Sequence, residues 1–265
     1  MYLSQIWVYP VKSLRGYPVT QAELTARGLQ HDRRWMIVNA EGQFLTQRQI
    51  PGMVLIRAYG AKDHLQLQIP HLGEVQIGIP KEADADPLTV TVWRSQCRAL
   101  RPRHPIHNML SEQLGQPCSL VYMPDTTQRA INPGYALSPN DAVSFADGYP
   151  YLLATEASLT ALNAQLAEPV TMERFRPNLV ITGSTSFAED HWRNLRIGDF
   201  TFTAVKPCER CVMVTIDPDQ GLTAKEPLQT LARLHRVNQK VIFGQNLIGH
   251  HNTGQLQVGD PVVIL

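Results

Sequence analysis

The sequence predicts a mainly β protein of the β-barrel type with a few helices. Three observations carry the prediction. Short apolar or alternating runs fill the first hundred residues and return after residue 178, each stopped by Pro, Gly or a polar turn. Nineteen prolines in 265 residues suit many short strands joined by sharp corners. Helical spacing is confined to a few short segments.

The elements follow in order. Leu3 to Tyr9 is mostly apolar and stops at Pro10. Val19 to Ala26 alternates and stops near Gly28. Trp35 to Val38 is a short run of buried type, followed by the turn Asn39-Ala40-Glu41-Gly42. Met53 to Tyr59 and His64 to Ile69 are expected strands joined by Gly60-Ala61-Lys62-Asp63. In the second, Leu65, Leu67 and Ile69 alternate with Gln66 and Gln68, the period of a half-buried strand. Glu74 to Ile79 and Leu88 to Trp93 continue the series. His107 to Leu114 is the first expected helix, ended by Gly115. Thr155-Glu156-Ala157-Ser158 opens a second, with Leu159, Leu162 and Leu166 on one face and Thr155 or Ser158 as its cap. Pro227 to His235 is a third. Strands are expected again at Asn178 to Thr182, Phe200 to Val205, Cys211 to Ile216 and Leu256 to Leu265. No repeat or flexible linker appears. A boundary near residue 120 divides the chain into a β domain over 1–120 and a second domain over 121–265, closely packed.

Composition narrows the function classes. The chain carries 24 basic and 23 acidic residues, a net charge of +1. That balance argues against the broad basic surface of a nucleic-acid binder. Charged residues are 18% and hydrophobic residues 43%, which argues against disorder. No run approaches the roughly 18 apolar residues of a membrane span. The opening MYLSQIWVYPVK lacks the basic n-region of a signal peptide. Four cysteines are too few for a disulfide scaffold of this size. The expectation is a soluble, reduced, cytoplasmic protein. One imbalance remains: of the 24 basic residues, 18 are Arg and 6 are Lys. Arg is favoured where a planar fork grips phosphate or carboxylate, although coding bias produces the same count.

Four segments carry chemistry-bearing residues. In Lys206-Pro207-Cys208-Glu209-Arg210-Cys211 the C-x-x-C pair has several readings. Zinc needs a second ligand pair, and neither Cys97 with Cys118 nor His250-His251 is well spaced for one. A redox dithiol prefers to open a helix, whereas Val212 to Ile216 reads as strand. A thiolate ligand for a soft metal, with Arg210 beside it, is a third reading, and two structural cysteines a fourth. Tyr9-Pro10-Val11-Lys12-Ser13-Leu14-Arg15 places a cation, a hydroxyl and a second cation after a strand, without P-loop glycines. In Asp32-Arg33-Arg34-Trp35 the two Arg should diverge to opposite faces of an entering strand, and Arg48 adds a cation nearby. Arg174-Phe175-Arg176-Pro177-Asn178 flanks an aromatic with two cations, and Asp147-Gly148-Tyr149-Pro150 supplies a tight turn.

Together these strings resemble the MOSC family, the molybdenum-cofactor sulfurase C-terminal domain proteins. YPVKSLRG, GLQHDRRWMIV and FLTQRQ are similar to its N-terminal β domain. ATEASLTALNAQL, RFRPNLVITG, FAEDHW, IGDF, PCERCVMVTIDPDQG and VGDPVVIL are similar to the MOSC domain. The amidoxime-reducing components and the YcbX-like reductases are the nearest members recognised. The resemblance implies a pyranopterin molybdenum cofactor between the two β parts, with Cys211 as the metal ligand and catalytic position, and no metal role for Cys208. It implies pterin and phosphate contacts from Lys12, Ser13, Arg33, Arg176, Asn178 and Arg210, and a lining turn at Asp147, Gly148 and Tyr149.

The resemblance further implies reduction of N-hydroxylated or N-oxide compounds by oxygen-atom transfer. YcbX-like enzymes carry a ferredoxin-type domain. This chain ends at Leu265 and has no C-x4-C-x2-C run, so no iron–sulfur cluster is expected in it. The electron donor is then a separate ferredoxin or flavoprotein. The alternative is a cofactor or sulfur carrier that uses Cys211 as a persulfide without redox catalysis. Pyridoxal phosphate is not expected, because none of the six Lys sits in a recognisable Schiff-base setting.

Overall fold

Alternation along the chain becomes hairpins whose buried faces meet. The computed structural model describes residues 1–265. Its first part contains β1 (Tyr2–Val8), β2 (Tyr17–Val19), β3 (Gln21–Thr25), β4 (Gly28–Leu29), β5 (Trp35–Val38), β6 (Arg57–Gly60), β7 (His64–Ile69), β8 (Gly73–Gly78), β9 (Ala85–Val92) and β10 (Ser95–Pro102). In β7, Leu65, Leu67 and Ile69 are buried and the intervening Gln are half-buried, as the period-two pattern requires. Next come α1 (Ile106–Leu114), closed by Gly115 in the left-handed conformation, and β11 (Ser119–Tyr122). Strands β6, β7 and β8 form one antiparallel sheet, and β5, β11, β10 and β9 another.

The second part contains β12 (Tyr151–Thr155), α2 (Glu156–Asn163), β13 (Leu179–Thr182), β14 (Asn194–Ile197), β15 (Phe200–Glu209), α3 (Leu228–Leu234), β16 (Arg236–Val237), β17 (Lys240–Gly249), β18 (Thr253–Gln257) and β19 (Val262–Ile264). Thr155 caps α2 by accepting from the Ser158 backbone N–H. The helix stops at Asn163, so Leu166 packs on the same apolar cluster from beyond its end. The main sheet runs β19-β14-β15-β17-β12-β13-β1-β2. Its β12–β13 pair is parallel, joined through α2; the other pairs are antiparallel. A Tyr2–Pro261 bridge, with Leu3 N–H donating to Asp260 O, joins the start of β1 to the segment that enters β19. Leu3, Ile6 and Val8 of β1 share one core with Leu153, Leu179, Phe202 and Leu247. A separate core, including Trp35, Ile56, Leu67 and Leu120, fills the first part.

Three local expectations differ from the structure. Cys211 to Ile216 is not a strand: Cys211 is extended and Val212–Thr215 is a 3-10 turn. The last ladder bond runs from Arg210 N–H to Val241 O, after which Val214 turns inward to the core under β17. Met53 to Tyr59 is divided. Pro51–Leu55 is a 3-10 turn with Pro at its start, and pairing begins only at Arg57. Leu256 to Leu265 is two strands, broken at Gly259 with φ +99°.

Candidate functional site

The chain leaves β1 at Val8, and the Tyr9 ring that follows is completely buried. Two cations stack on it. The Arg33 guanidinium carbon lies 4.3 Å from the ring centroid and that of Arg176 lies 4.4 Å away. Arg33 is held by buried Asp32, at 2.6 and 2.8 Å to the two carboxylate oxygens, and donates to Asn178 Oδ1 at 3.1 Å. Burial pushes the Asp32 carboxyl up, against the pull of Arg33. Arg176 donates to Leu14 O at 2.7 Å. Burial, then Arg33, brings the Arg176 guanidinium down to about 10, so it remains a cation at neutral pH. The Asn178 amide donates to Trp7 O and Asp32 and accepts from Arg33 and the Leu152 N–H. It locks β1, β12 and the Arg33 turn together. Arg34 diverges from Arg33 and donates to Met123 O and Asp125.

Ser13, Arg33 and Arg176 have φ of +65°, +47° and +54°. Such left-handed backbones cost non-glycine residues on the order of 1–3 kcal/mol each. All three strained residues line one cleft. Lys12 is buried and pairs with Asp147 across that cleft. Burial lowers the Lys12 ammonium, and Asp147 counters this. Asp147 is largely exposed, and Lys12 overrides the opposing effect of desolvation and holds its carboxyl well below the usual carboxylate range. The Asp147 turn is fixed by buried Arg129, which donates to the carbonyls of Ser144, Ala146 and Asp147. Nothing lies within 4 Å of where a Cβ on Gly148 would stand. Tyr149 packs edge-on against Tyr135, and burial pushes its phenol up to about 12.

Across the cleft, β15 ends in the cysteine segment. Arg210 donates from Nε to Phe243 O and from Nη1 to Phe175 O, both at 2.9 Å. Its Nη2 is buried with no partner. Cys211 is exposed, and Arg48 Nη1 lies 3.9 Å from its sulfur and 3.6 Å from Met213 Sδ. Cys208 is half-buried, and burial pushes its thiol up.

The cleft spans about 860 Å³ of empty space, part of it continuous with bulk solvent. All ten residues singled out from sequence line it: Lys12, Ser13, Arg33, Asp147, Gly148, Tyr149, Arg176, Asn178, Arg210 and Cys211. Arg48, Arg174 and Met213 line it as well and were not assigned a role from sequence. Tyr9 and Arg129 also escaped sequence reading, because their work is to hold neighbours. Six cations and two carboxylates, Asp147 and Glu209, face the space. This set suits a ligand that is anionic at one end and offers a thiol-seeking centre at the other.

No helix is long and apolar enough to cross a membrane. Residues 1–117 match the MOSC N-terminal beta barrel domain and residues 140–263 match the MOSC domain. The chain is 34% identical to mitochondrial amidoxime-reducing component 1 of Homo sapiens, over 99% of this chain and 82% of that protein. It is 32% identical to mitochondrial amidoxime reducing component 2 of Rattus norvegicus, over 98% and 82%. It is also 33% identical to the molybdenum cofactor sulfurase of Arabidopsis thaliana, over 92% of this chain and 32% of that protein. With its two β parts meeting at a cation-lined cleft around an exposed cysteine, the chain belongs to the MOSC family.

Proposed function

We propose that the chain is a molybdenum-cofactor-dependent oxidoreductase that reduces N-hydroxylated and N-oxide compounds by oxygen-atom transfer, with electrons from a separate ferredoxin or flavoprotein. The observation that carries this reading is the excess of cations around the exposed Cys211 thiol. Three features support the fit to a pyranopterin cofactor. The orphaned Arg210 Nη2 needs an acceptor from a ligand. The left-handed backbones of Ser13, Arg33 and Arg176 are strain gathered at one site. The space above Gly148 lets a flat ligand approach backbone.

In this reading Cys211 ligates molybdenum. Lys12, Ser13, Arg33, Arg176, Asn178 and Arg210 hold the pterin and its phosphate, and Asp147, Gly148 and Tyr149 form a wall. When bound, the cofactor supplies the two-electron oxygen-atom exchange. The chain's own residues supply binding and orientation. Arg33 and Arg176, fixed on Tyr9, present charge that needs no rearrangement when a dianion arrives. Asp147 faces Lys12 and favours its ammonium form against the effect of burial, so that wall of the cleft is ion-paired. A cytoplasmic location is part of the proposal, supported by four free thiols; the amidoxime-reducing relatives are named as mitochondrial.

The test is molybdenum and pterin content of freshly expressed protein, followed by benzamidoxime reduction with an artificial reductant. Near-stoichiometric molybdenum and turnover are expected. Cys211→Ser should abolish turnover, while Cys208→Ser should be mild. Full molybdenum occupancy without turnover overturns the reductase reading. A second reading, a sulfur or cofactor carrier using Cys211 as a persulfide, is supported by the similarity to molybdenum cofactor sulfurase. It predicts a 32 Da mass increase (one sulfur atom, about the same for any thiol) on Cys211 after exposure to a cysteine desulfurase.

A further inference from the structure

We propose that Trp93 is a specificity-determining platform at the mouth of the cleft, on which an uncharged planar ring of the substrate stacks. The inference rests on the reductase reading and names its substrate class: aromatic N-hydroxylated compounds that are neutral at physiological pH.

Trp93 stands in the two-residue turn between β9 and β10, where Val92 pairs with Ser95. Its φ is +55°, a conformation that a large side chain adopts only at a cost. Burial does not repay that cost, because 47% of the residue is open to solvent. Two of its contacts, Asp147 and Arg48, are residues of the cleft lining. Its Nε1–H donates to Asp147 Oδ1 at 3.1 Å. The Arg48 guanidinium carbon lies 4.7 Å from its ring centroid, and the same guanidinium lies 3.9 Å from Cys211 Sγ. The Phe44 ring braces it at 5.1 Å between centroids. The indole therefore stands one guanidinium away from the Cys211 sulfur, fixed on three sides and open on the rest. A rigid aromatic held this way binds planar groups with little entropy loss, since its own rotamer is already chosen.

Charge selects among planar groups. Asp147 is the one carboxylate touching Trp93, and it is already engaged by Lys12 and by Trp93 itself. Glu209, the other carboxylate of the cleft, is paired with Lys206 and Lys240. The charge nearest the indole face is Arg48. A cationic substrate meets a like charge there, beside carboxylates whose charge Lys12, Lys206 and Lys240 already offset, whereas a neutral ring meets no such penalty.

The test is ligand-observed saturation-transfer NMR on the full chain as purified, without reductant. Three probes are compared: benzamidoxime (neutral, aromatic), acetamidoxime (neutral, aliphatic) and benzamidine (the same ring, cationic). Benzamidoxime should bind about five- to tenfold more tightly than either of the others. In Trp93→Ala the preference for benzamidoxime over acetamidoxime should fall by about five- to tenfold, the size of one stacking contact. Trp93→Phe keeps a ring but loses the bond to Asp147 and should retain most of the preference. The KM ratio of the two amidoximes in turnover should shift by the same factor. An equal loss of both amidoximes in Trp93→Ala, or benzamidine binding as tightly as benzamidoxime, overturns the platform. Discrimination in binding with no turnover at full molybdenum occupancy overturns the reductase reading and leaves the platform standing. Turnover without discrimination does the reverse.

Discussion

Tyr9 shows how a residue without charge sets the electrostatics of the cleft. Arg33 and Arg176 are long, flexible side chains whose forks would sample many positions in solution. Stacked on one buried ring, each is held at a fixed place. Gly16 lets the chain pass that ring, since a Cβ there would stand 2.4 Å from Tyr9 Cδ1. The Tyr9 hydroxyl itself has no partner. Tyr9→Phe should therefore be neutral or slightly stabilising, because it removes an unsatisfied buried group. Tyr9→Leu should cost about 2–4 kcal/mol through the cavity and the lost stacking. That is a fall in Tm of roughly 4–7 °C for a chain of this length. Scanning calorimetry of the two variants decides the point, and a similar loss in both refutes the stacking role. The two arginines were legible in the sequence as an anion-binding bias within recognisable strings. Tyr9 was not, because an aromatic at the end of an apolar strand looks the same whether it fills a core or seats a cation.

At the scale of elements, periodicity located strands and helices where polar and apolar residues alternate and failed where the apolar run is nearly unbroken. Apart from Arg57, Met53 to Tyr59 and Cys211 to Ile216 are apolar or β-branched, so no period distinguishes a strand from a tight turn. The second case matters to the site: a 3-10 turn, not a strand, carries the chain away from Cys211 and leaves that thiol exposed at the mouth. A different junction, between α3 and β17, holds a titratable latch. His235 Nε2 lies 2.6 Å from Asp190 Oδ2, and its Nδ1 donates to Ile242 O. Gln245 also donates to Asp190, and the Phe187 ring lies 4.4 Å from the imidazole. Asp190 raises the His235 imidazole above its ordinary value, against the opposing effect of burial. A raised folded-state value means the imidazolium stabilises the fold fully below the unfolded pKa of about 6.5. That contribution fades as pH climbs through the higher folded value. Tm should thus fall from about pH 6 to pH 9, and His235→Gln should flatten that slope. An unchanged slope in the variant refutes the latch.

For the whole molecule, the division near residue 120 and the arrangement of the sheets pull in different directions. The family matches cover 1–117 and 140–263, yet β1 and β2 are strands of the main sheet, paired through β13 to residues near 180. Strand β3 pairs with β18 near the C-terminus. Local composition cannot announce such pairings, because partners separated by more than 150 residues leave no pattern in either segment alone. The net charge of +1 conceals organisation in the same way: the six cations that face the cleft come from both halves of the chain. Lys12, Arg33 and Arg48 come from the first part, and Arg174, Arg176 and Arg210 from the second. A fragment spanning 121–265 would lose Leu3, Ile6 and Val8 from its core, each worth about 1.5–3 kcal/mol of burial. It would also expose the β13 edge where β1 normally pairs. Those losses are comparable to the 5–15 kcal/mol by which domains are stable at all. The fragment should be insoluble or lack a cooperative thermal transition, and co-expression with 1–120 should restore both the transition and a shared cleft. A sharp, reversible transition for 121–265 alone would show that β1 is dispensable to the main sheet. The cleft would then be an interface between two self-sufficient units rather than a product of one interleaved fold.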